Sequence, residues 1–459
     1  MNNNEDNQLR QEILTQSIWK LMAKFSLPAI IAMSINSLNT FVDALFIGQY
    51  VGQDALAAVS LAFPLTMITN GLAAMIGVGG SSLLSIAIGA GDKEVQKKMF
   101  GTLTVLTFIS TGVLMFFGLM FSEELIAMMG GSGEILKMGA YYYEVMILGS
   151  FFRIYGVVLN NIIRAEGKMN QAMIFLIAAT LLNIILNPIF IAYYGWGIAG
   201  AAWSTVVAMA LLTVIGVIYY VRGHAGYEVD LKYWKVEKHM LKPILSVGVS
   251  AMMMQIMFFV QQIFVFRSIA HYGNDWHLAF MGACYRIKIL MIMPVFGFSQ
   301  ALQPIAGINF GAGVYDRVKE GFKKFAIAST ILLLSLWGFQ LLFPGIILGW
   351  MLPDATFSAV DIFNFRVQMA SYIVFPFFLM AITVFQSIGR ARIAGIMLVA
   401  RELMIFIPLV LLLPLWFGVN GIYYAVFPVN IVVFAVASYF LKKQFDKWAP
   451  SASLSQMPK

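Results

Sequence analysis

The chain has 459 residues, 60% of them hydrophobic and 11% charged, with a mean hydropathy of +0.82. Soluble globular domains carry about a quarter charged residues, so this composition excludes that class and makes a bilayer the natural solvent. The formal charge of +8 does not call for a nucleic-acid partner, because the position of the basic residues accounts for it, as follows.

The first 24 or so residues are polar and mixed in charge, without a short apolar core and small-residue cleavage site, so no secretory signal peptide is expected. Beyond them, apolar stretches long enough to cross about 30 Å of hydrocarbon recur between short polar punctuation. Twelve spans are predicted, at 26–47, 56–88, 99–121, 138–162, 170–193, 199–221, 243–270, 278–308, 322–348, 360–387, 393–416 and 421–441. Of the 30 Lys and Arg, about 23 lie in the N-terminal segment, the loops after even-numbered spans and the C-terminal tail, counting Lys323 and Lys324 at the very start of span 9, whereas the loops after odd-numbered spans hold only Lys137. This positive-inside pattern places both termini and the long loop 222–242 in the cytoplasm.

The halves repeat each other. LAAVSLAFPL from Leu56 to the GAGD loop has a counterpart from Leu278 to the loop at Gly311, which maps Gly89 and Gly91 onto Gly311 and Gly313 at an offset of 222. The same offset maps Gly167 onto Gly389, and an offset of 221 maps Gly197 onto Gly418. Each repeat holds an even number of spans, so the halves share one orientation about an axis along the membrane normal. The expected fold is therefore all-α: an N-terminal segment 1–24, a six-helix bundle 25–221, a cytoplasmic linker 222–242, a second bundle 243–445 and a tail 446–459. Two bundles around a midplane site are a device for alternating access.

Ionisable groups inside spans are functional candidates because hydrocarbon disfavours them. Asp43 late in span 1 shares a helical face with Asn36 and Asn39, seven and four residues earlier. A carboxylate among amides suits either oxygen coordination of Na+ or carriage of a proton. Span 5 places Asn183 and Asn187 one turn apart before Pro188, which removes a backbone donor, and span 6 adds the hydroxyls of Ser204 and Thr205. Asn and Thr in membrane helices also hydrogen-bond neighbouring helices with no further role. Glu144 reads as structural, and Arg401 with Glu402 as a neutralising local pair. Arg153, Arg366, Arg267, Arg286 and Lys288 are further charges within the spans. Span 7 is rich in Met and Gln, so Met253, Met254, Gln255 and Gln262 join Asn36, Arg286 and Lys288 as a candidate substrate cleft; such surfaces suit flat cations, although a Met stripe is also ordinary packing.

The single cysteine, Cys284, excludes disulfides and a cysteine-ligated metal. No phosphate loop, H-E-x-x-H or nucleophile constellation is present, and the four His all fall outside the spans, in the loops, so neither an enzyme site nor a cofactor is expected. Uphill transport without an ATP site draws on an ion gradient.

The segments NTFVDALFIGQYVG, the GAGD loop, LNIILNPIFI, WGIAGAAWST and SQALQPIAGINFGAG resemble the multidrug and toxic compound extrusion (MATE) family over about residues 20–445, closest to its bacterial DinF-like and MepA-like branches. The resemblance implies a V-shaped pair of bundles that exports organic, often cationic, compounds in exchange for H+ or Na+. It implies an ion site in the N-terminal bundle, matched here by Asp43, Asn183 and Thr205, with Asn187 where a second Asp often stands and Asn39 where a Tyr does. For Na+ coupling, Asp43 and Asn183 would be the metal ligands. The NorM-like branch has acids in spans 7 and 10, but span 7 here reads MMMQ and the interior of span 10 has none. The expected partners are small organic cations and membrane lipid, for a monomer in the bacterial plasma membrane. A second reading is a flippase for lipid-linked precursors of the same superfamily, for which Arg267, Arg286 and Lys288 would supply cationic lining.

Overall fold

A computed structural model of the chain describes residues 2–225, 227, 231–352 and 355–448. Most of the expected tail, from 449 on, and part of the expected linker, at 226 and 228–230, lie outside the described residues. Among these residues the chain is helical, with no strand. Eleven helices are long and apolar enough to cross a bilayer, and the pair Gly133–Leu148 and Ser150–Ala165, bent by 47°, makes the twelfth crossing as span 4.

The helices of spans 1, 2, 7 and 8 run Ile18–Tyr50, Gln53–Ala90, Lys238–Tyr272 and Asp275–Gly311, between 33 and 38 residues each. At about 1.5 Å per residue they measure roughly 50–57 Å, well beyond the ~30 Å that hydropathy detects. This corrects the placing of the histidines: His239, His271 and His277 lie in helical ends and only His224 lies in a loop. Side-chain caps fix the starts of spans 8 and 3. The Asn274 side chain accepts the backbone N–H of His277 at 3.2 Å, and Asp92 accepts those of Glu94 and Val95 at 3.1 Å to start span 3.

The glycine pairs that set the register of the repeat have matching backbones. Gly91 and Gly313 have φ of 73° and 76°, Gly167 and Gly389 have 85° and 73°, and Gly197 and Gly418 both have 57°. These left-handed turns are open to glycine without a Cβ penalty.

The two halves meet along the face that carries both termini. Small residues let membrane helices approach closely, and here two such approaches are reciprocal. A Cβ on Gly79 would lie 2.1 Å from the carbonyl oxygen of Ile244, and one on Gly248 would lie 2.0 Å from that of Met75, at the crossing of spans 2 and 7. Farther along span 2, a Cβ on Gly89 would lie 2.0 Å from the Ile308 oxygen and one on Gly311 2.1 Å from the Ile86 oxygen, at the crossing with span 8. Polar bonds lock the same seam: Gln303 donates to Ser81 at 2.6 Å and Ser82 donates to the Gln386 carbonyl at 2.6 Å. The largest apolar cluster runs through both halves. Nearer the opposite face, smaller clusters such as Ile47, Ala55, Ala58, Ile191, Ile198 and Ala201 belong to the N-terminal half alone.

Candidate functional site

The helix of span 5 runs Met169–Pro188 and passes directly into a π-helical turn, Ile189–Tyr193. Pro188 at that junction lacks a backbone donor, and the turn widens there. Asn183 and Asn187, one turn apart and both buried, face span 1 on one side and span 6, Gly197–Val221, on the other.

These residues close a ring of side-chain hydrogen bonds around Asp43. Asn187 Nδ2 donates to Asp43 Oδ1, and Ser204 Oγ donates to Asn187 Oδ1 at 2.5 Å. Asn183 Nδ2 donates to Ser204 Oγ at 3.3 Å and lies 3.4 Å from Thr205 Oγ1. Asn39 Nδ2 donates to Asn183 Oδ1 at 2.8 Å and returns to Asp43 Oδ2 at 3.4 Å. Asp43, half-buried, is thus the double acceptor of the ring and Asn39 its double donor. The one atom of the ring left over is Asn39 Oδ1, buried and without a partner.

All five candidate ion-coupling residues, Asp43, Asn39, Asn183, Asn187 and Thr205, therefore gather in one place. Ser204 is the link that closes the ring. Arg153 of span 4 also joins: its Nε donates to Asn70 of span 2 at 2.9 Å, and its guanidinium interacts electrostatically with Asp43 and Tyr142. Sequence reasoning marked Arg153 as an in-span charge but had no means of placing it beside Asp43. Among the described residues no group of three or more His, Cys, Asp or Glu could hold a metal ion. As bonded here, both carboxylate oxygens of Asp43 face N–H donors, so Na+ ligation by Asp43 and Asn183 would require the amides to rotate.

The candidate cleft residues scatter. Asn36 is half-buried and does not enter the ring. Met253, Gln255 and Gln262 are half-buried along span 7, and Met254 packs against the main apolar core, as ordinary packing would have it. Arg286 and Arg267 are exposed, and Arg366, also exposed, donates to the Leu341 carbonyl at 2.9 Å. Lys288 lies over the Tyr285 ring at 5.9 Å, in electrostatic contact with Arg401 and Glu402. Glu144 accepts from Ser122 at 2.6 Å, a tie between span 4 and the short helix Ser122–Met128. Cys284 is fully buried.

Arg401 and Glu402 pair at 2.9 Å on a π-helical turn, Ala400–Phe406, with Glu402 2% exposed and Arg401 over the rings of Phe375 and Phe378 at 5.7 and 5.2 Å. Removing one member of a buried pair strands the other. Glu402→Gln should therefore destabilise the protein by about 3 kcal/mol, whereas Arg401→Met with Glu402→Leu should stay nearer the parent. Thermal unfolding in detergent compares the two.

The MatE family profile matches residues 28–189 and 250–412, once in each half, and the first match includes Asn39, Asp43, Asn183 and Asn187. The chain belongs to the MATE family. Multidrug export proteins named MepA from Staphylococcus aureus and Staphylococcus haemolyticus are 27% and 25% identical to it over 406 and 434 residues. These alignments cover 88% and 93% of this chain and 89% and 93% of theirs. A MATE structure in complex with MaD3S superimposes with a TM-score of 0.90 at 25% identity over 95% of this chain and 98% of its own. An outward-facing MATE transporter of the MOP superfamily gives 0.89 at 26% identity over 95% and 97%. The MATE fold, with twelve spans in two related bundles, is thus the fold of this multi-pass membrane protein.

Proposed function

We propose that this protein exports lipophilic organic cations in exchange for protons by alternating access, with Asp43 as the proton carrier. The observation that carries the reading is the ring itself, in which the one ionisable member is the double acceptor. In the ionised state Asp43 takes two N–H bonds and Arg153 balances its charge. A proton on Asp43 turns one acceptor into a donor, and that donor needs an acceptor. Asn39 Oδ1, the unpartnered oxygen of the ring, meets the need if the Asn39 amide rotates. Rotation breaks the bond from Asn39 to Asn183 and so loosens span 1 from span 5. Protonation thereby favours one packing of span 1 over another, which is what an ion must do to drive a conformational change.

One feature supports H+ over Na+: both carboxylate oxygens of Asp43 already face N–H donors, so a proton is accommodated by turning one amide whereas oxygen ligation of a metal ion needs several groups to turn away. The exporter role extends to this chain what the names of its staphylococcal relatives, multidrug export proteins, say of them, and the cationic substrate class is what the family resemblance implies. The rocking units are the bundles 25–221 and 243–445, joined by the linker 222–242, and the tight glycine seam is the closed cytoplasmic side of an outward-facing state. Both termini then lie in the cytoplasm of a bacterial cell, with the protein a monomer in the plasma membrane. A lipid-linked substrate finds less support, because among the described residues Arg267, Arg286 and Lys288 form no cluster around a headgroup site: Arg267 and Arg286 are exposed and Lys288 lies over the Tyr285 ring.

Purified protein in proteoliposomes should export ethidium when a pH gradient is imposed and remain at background with an Na+ gradient at equal pH. Export driven by Na+ alone would overturn the assignment of the ion, and binding of anionic lipid in preference to ethidium would overturn that of the substrate.

A further inference from the structure

The helix Asn2–Thr15 precedes span 1 and belongs to neither repeat. It lies across the seam at the terminal face, and its bonds reach both halves. Arg10 Nε donates to the Ile88 carbonyl at 3.0 Å and its Nη2 donates to that of Gly89 at 2.7 Å, at the C-terminal end of the span 2 helix. From the other half, Arg317, in the first turn of the span 9 helix Tyr315–Leu342, donates through Nη2 to the carbonyls of Ile13 and Gln16 at 2.9 and 2.6 Å, where the short helix ends. The Nε of Arg317 holds Asn309 Oδ1 at 3.1 Å in the last turn of span 8. Each arginine thus occupies the C-terminal carbonyls of a helix, where a cation is favoured by the helix dipole and by unpaired acceptors. Ile13 and Leu14, at 0% and 2% exposure, anchor the short helix in the core between these contacts.

The two attachment points bracket the Gly89–Gly311 crossing. We infer that the N-terminal helix is a strap that holds the terminal face shut: Arg10 fastens it to span 2 of one half and Arg317 fastens it to spans 8 and 9 of the other. Separation of spans 2 and 8 pulls the two arginines apart, so the strap must release at one end before this face opens. Its bonds exist only in the closed state and bias the equilibrium toward it. The inference stands on the seam geometry and holds whichever ion drives transport.

Spin labels at Lys93→Cys and Asp316→Cys, on exposed positions flanking the seam, report its opening in lipid nanodiscs without substrate. Cys284 is fully buried and stays unlabelled. Arg10→Gln should raise the ratio of long-distance to short-distance population by about tenfold, and Arg317→Gln should do the same. The double variant should exceed neither, since either change unfastens the same strap. A protease site inserted between Gln16 and Ser17, cut after folding and followed by washing away of the released segment, removes the strap with both fastenings, so the test survives a variant that does not fold. Unchanged distance distributions in the folded variants and in the cut protein would overturn the inference, as would additive effects of the two substitutions.

Discussion

Asp43→Asn is expected to reduce pH-gradient-driven export of ethidium by at least about 100-fold, to the level of empty proteoliposomes, because it removes the one ionisable group of the ring. The substituted amide matches the carboxyl in size and keeps an oxygen for Asn187 Nδ2, so the ring loses one bond at most. The thermal unfolding midpoint should stay within about 3 °C of the parent, in keeping with a change of under 1 kcal/mol. The variant also mimics the protonated state and should sit with Asn39 turned. A folded Asp43→Asn protein that still moves ethidium against its gradient would sink the mechanism. Loss of folding instead would reassign Asp43 to a structural role.

Gly89→Ala should be nearly as severe, for a steric reason. Its Cβ would fall 2.0 Å from the Ile308 oxygen and 2.8 Å from the Ile308 carbonyl carbon, both backbone atoms that no rotamer change can move. Spans 2 and 8 would have to part by about 1 Å, and interiors packed like crystals do not yield that distance smoothly. The closed terminal face becomes inaccessible while each bundle keeps its own core. Export should fall at least about 30-fold, a shift of roughly 2 kcal/mol in the closing equilibrium. A cysteine at Ser82, buried at 1% exposure in the seam, should then react with a membrane-impermeant maleimide offered from the terminal side. Parent-like export by Gly89→Ala, or continued protection of the cysteine, would refute the gate. Gly112→Ala is the control, since nothing lies within 4 Å of its Cβ.

Much of the architecture was legible in the sequence because hydropathy and period are local quantities. Twelve apolar runs, the even number in each repeat and the matched glycines at 91 and 313, 167 and 389, and 197 and 418 are readable without knowing what any residue touches. So is the face shared by Asn36, Asn39 and Asp43, since helical spacing alone creates it. The ends of the long helices were not legible, because hydropathy marks the hydrocarbon crossing and not the polar turns by which the helices of spans 1, 2, 7 and 8 run past it.

Only the tertiary structure decided which groups meet. Asn187 bonds Asp43, and Asn39 bonds Asn183, each across 144 residues of chain, and Arg153 comes beside Asp43 by the packing of span 4. Gly89 and Gly311 read in the sequence as markers of a repeat, whereas in the fold each is a place where the partner helix leaves no room for a side chain. Arg10 and Arg317 were counted as basic topology signals, yet they complete the carbonyls of two helix ends across the seam. Composition and period specify how each helix lies in the bilayer. Pairings between helices depend on rotation, depth and crossing geometry, which are settled jointly by the whole bundle and by no single stretch of it.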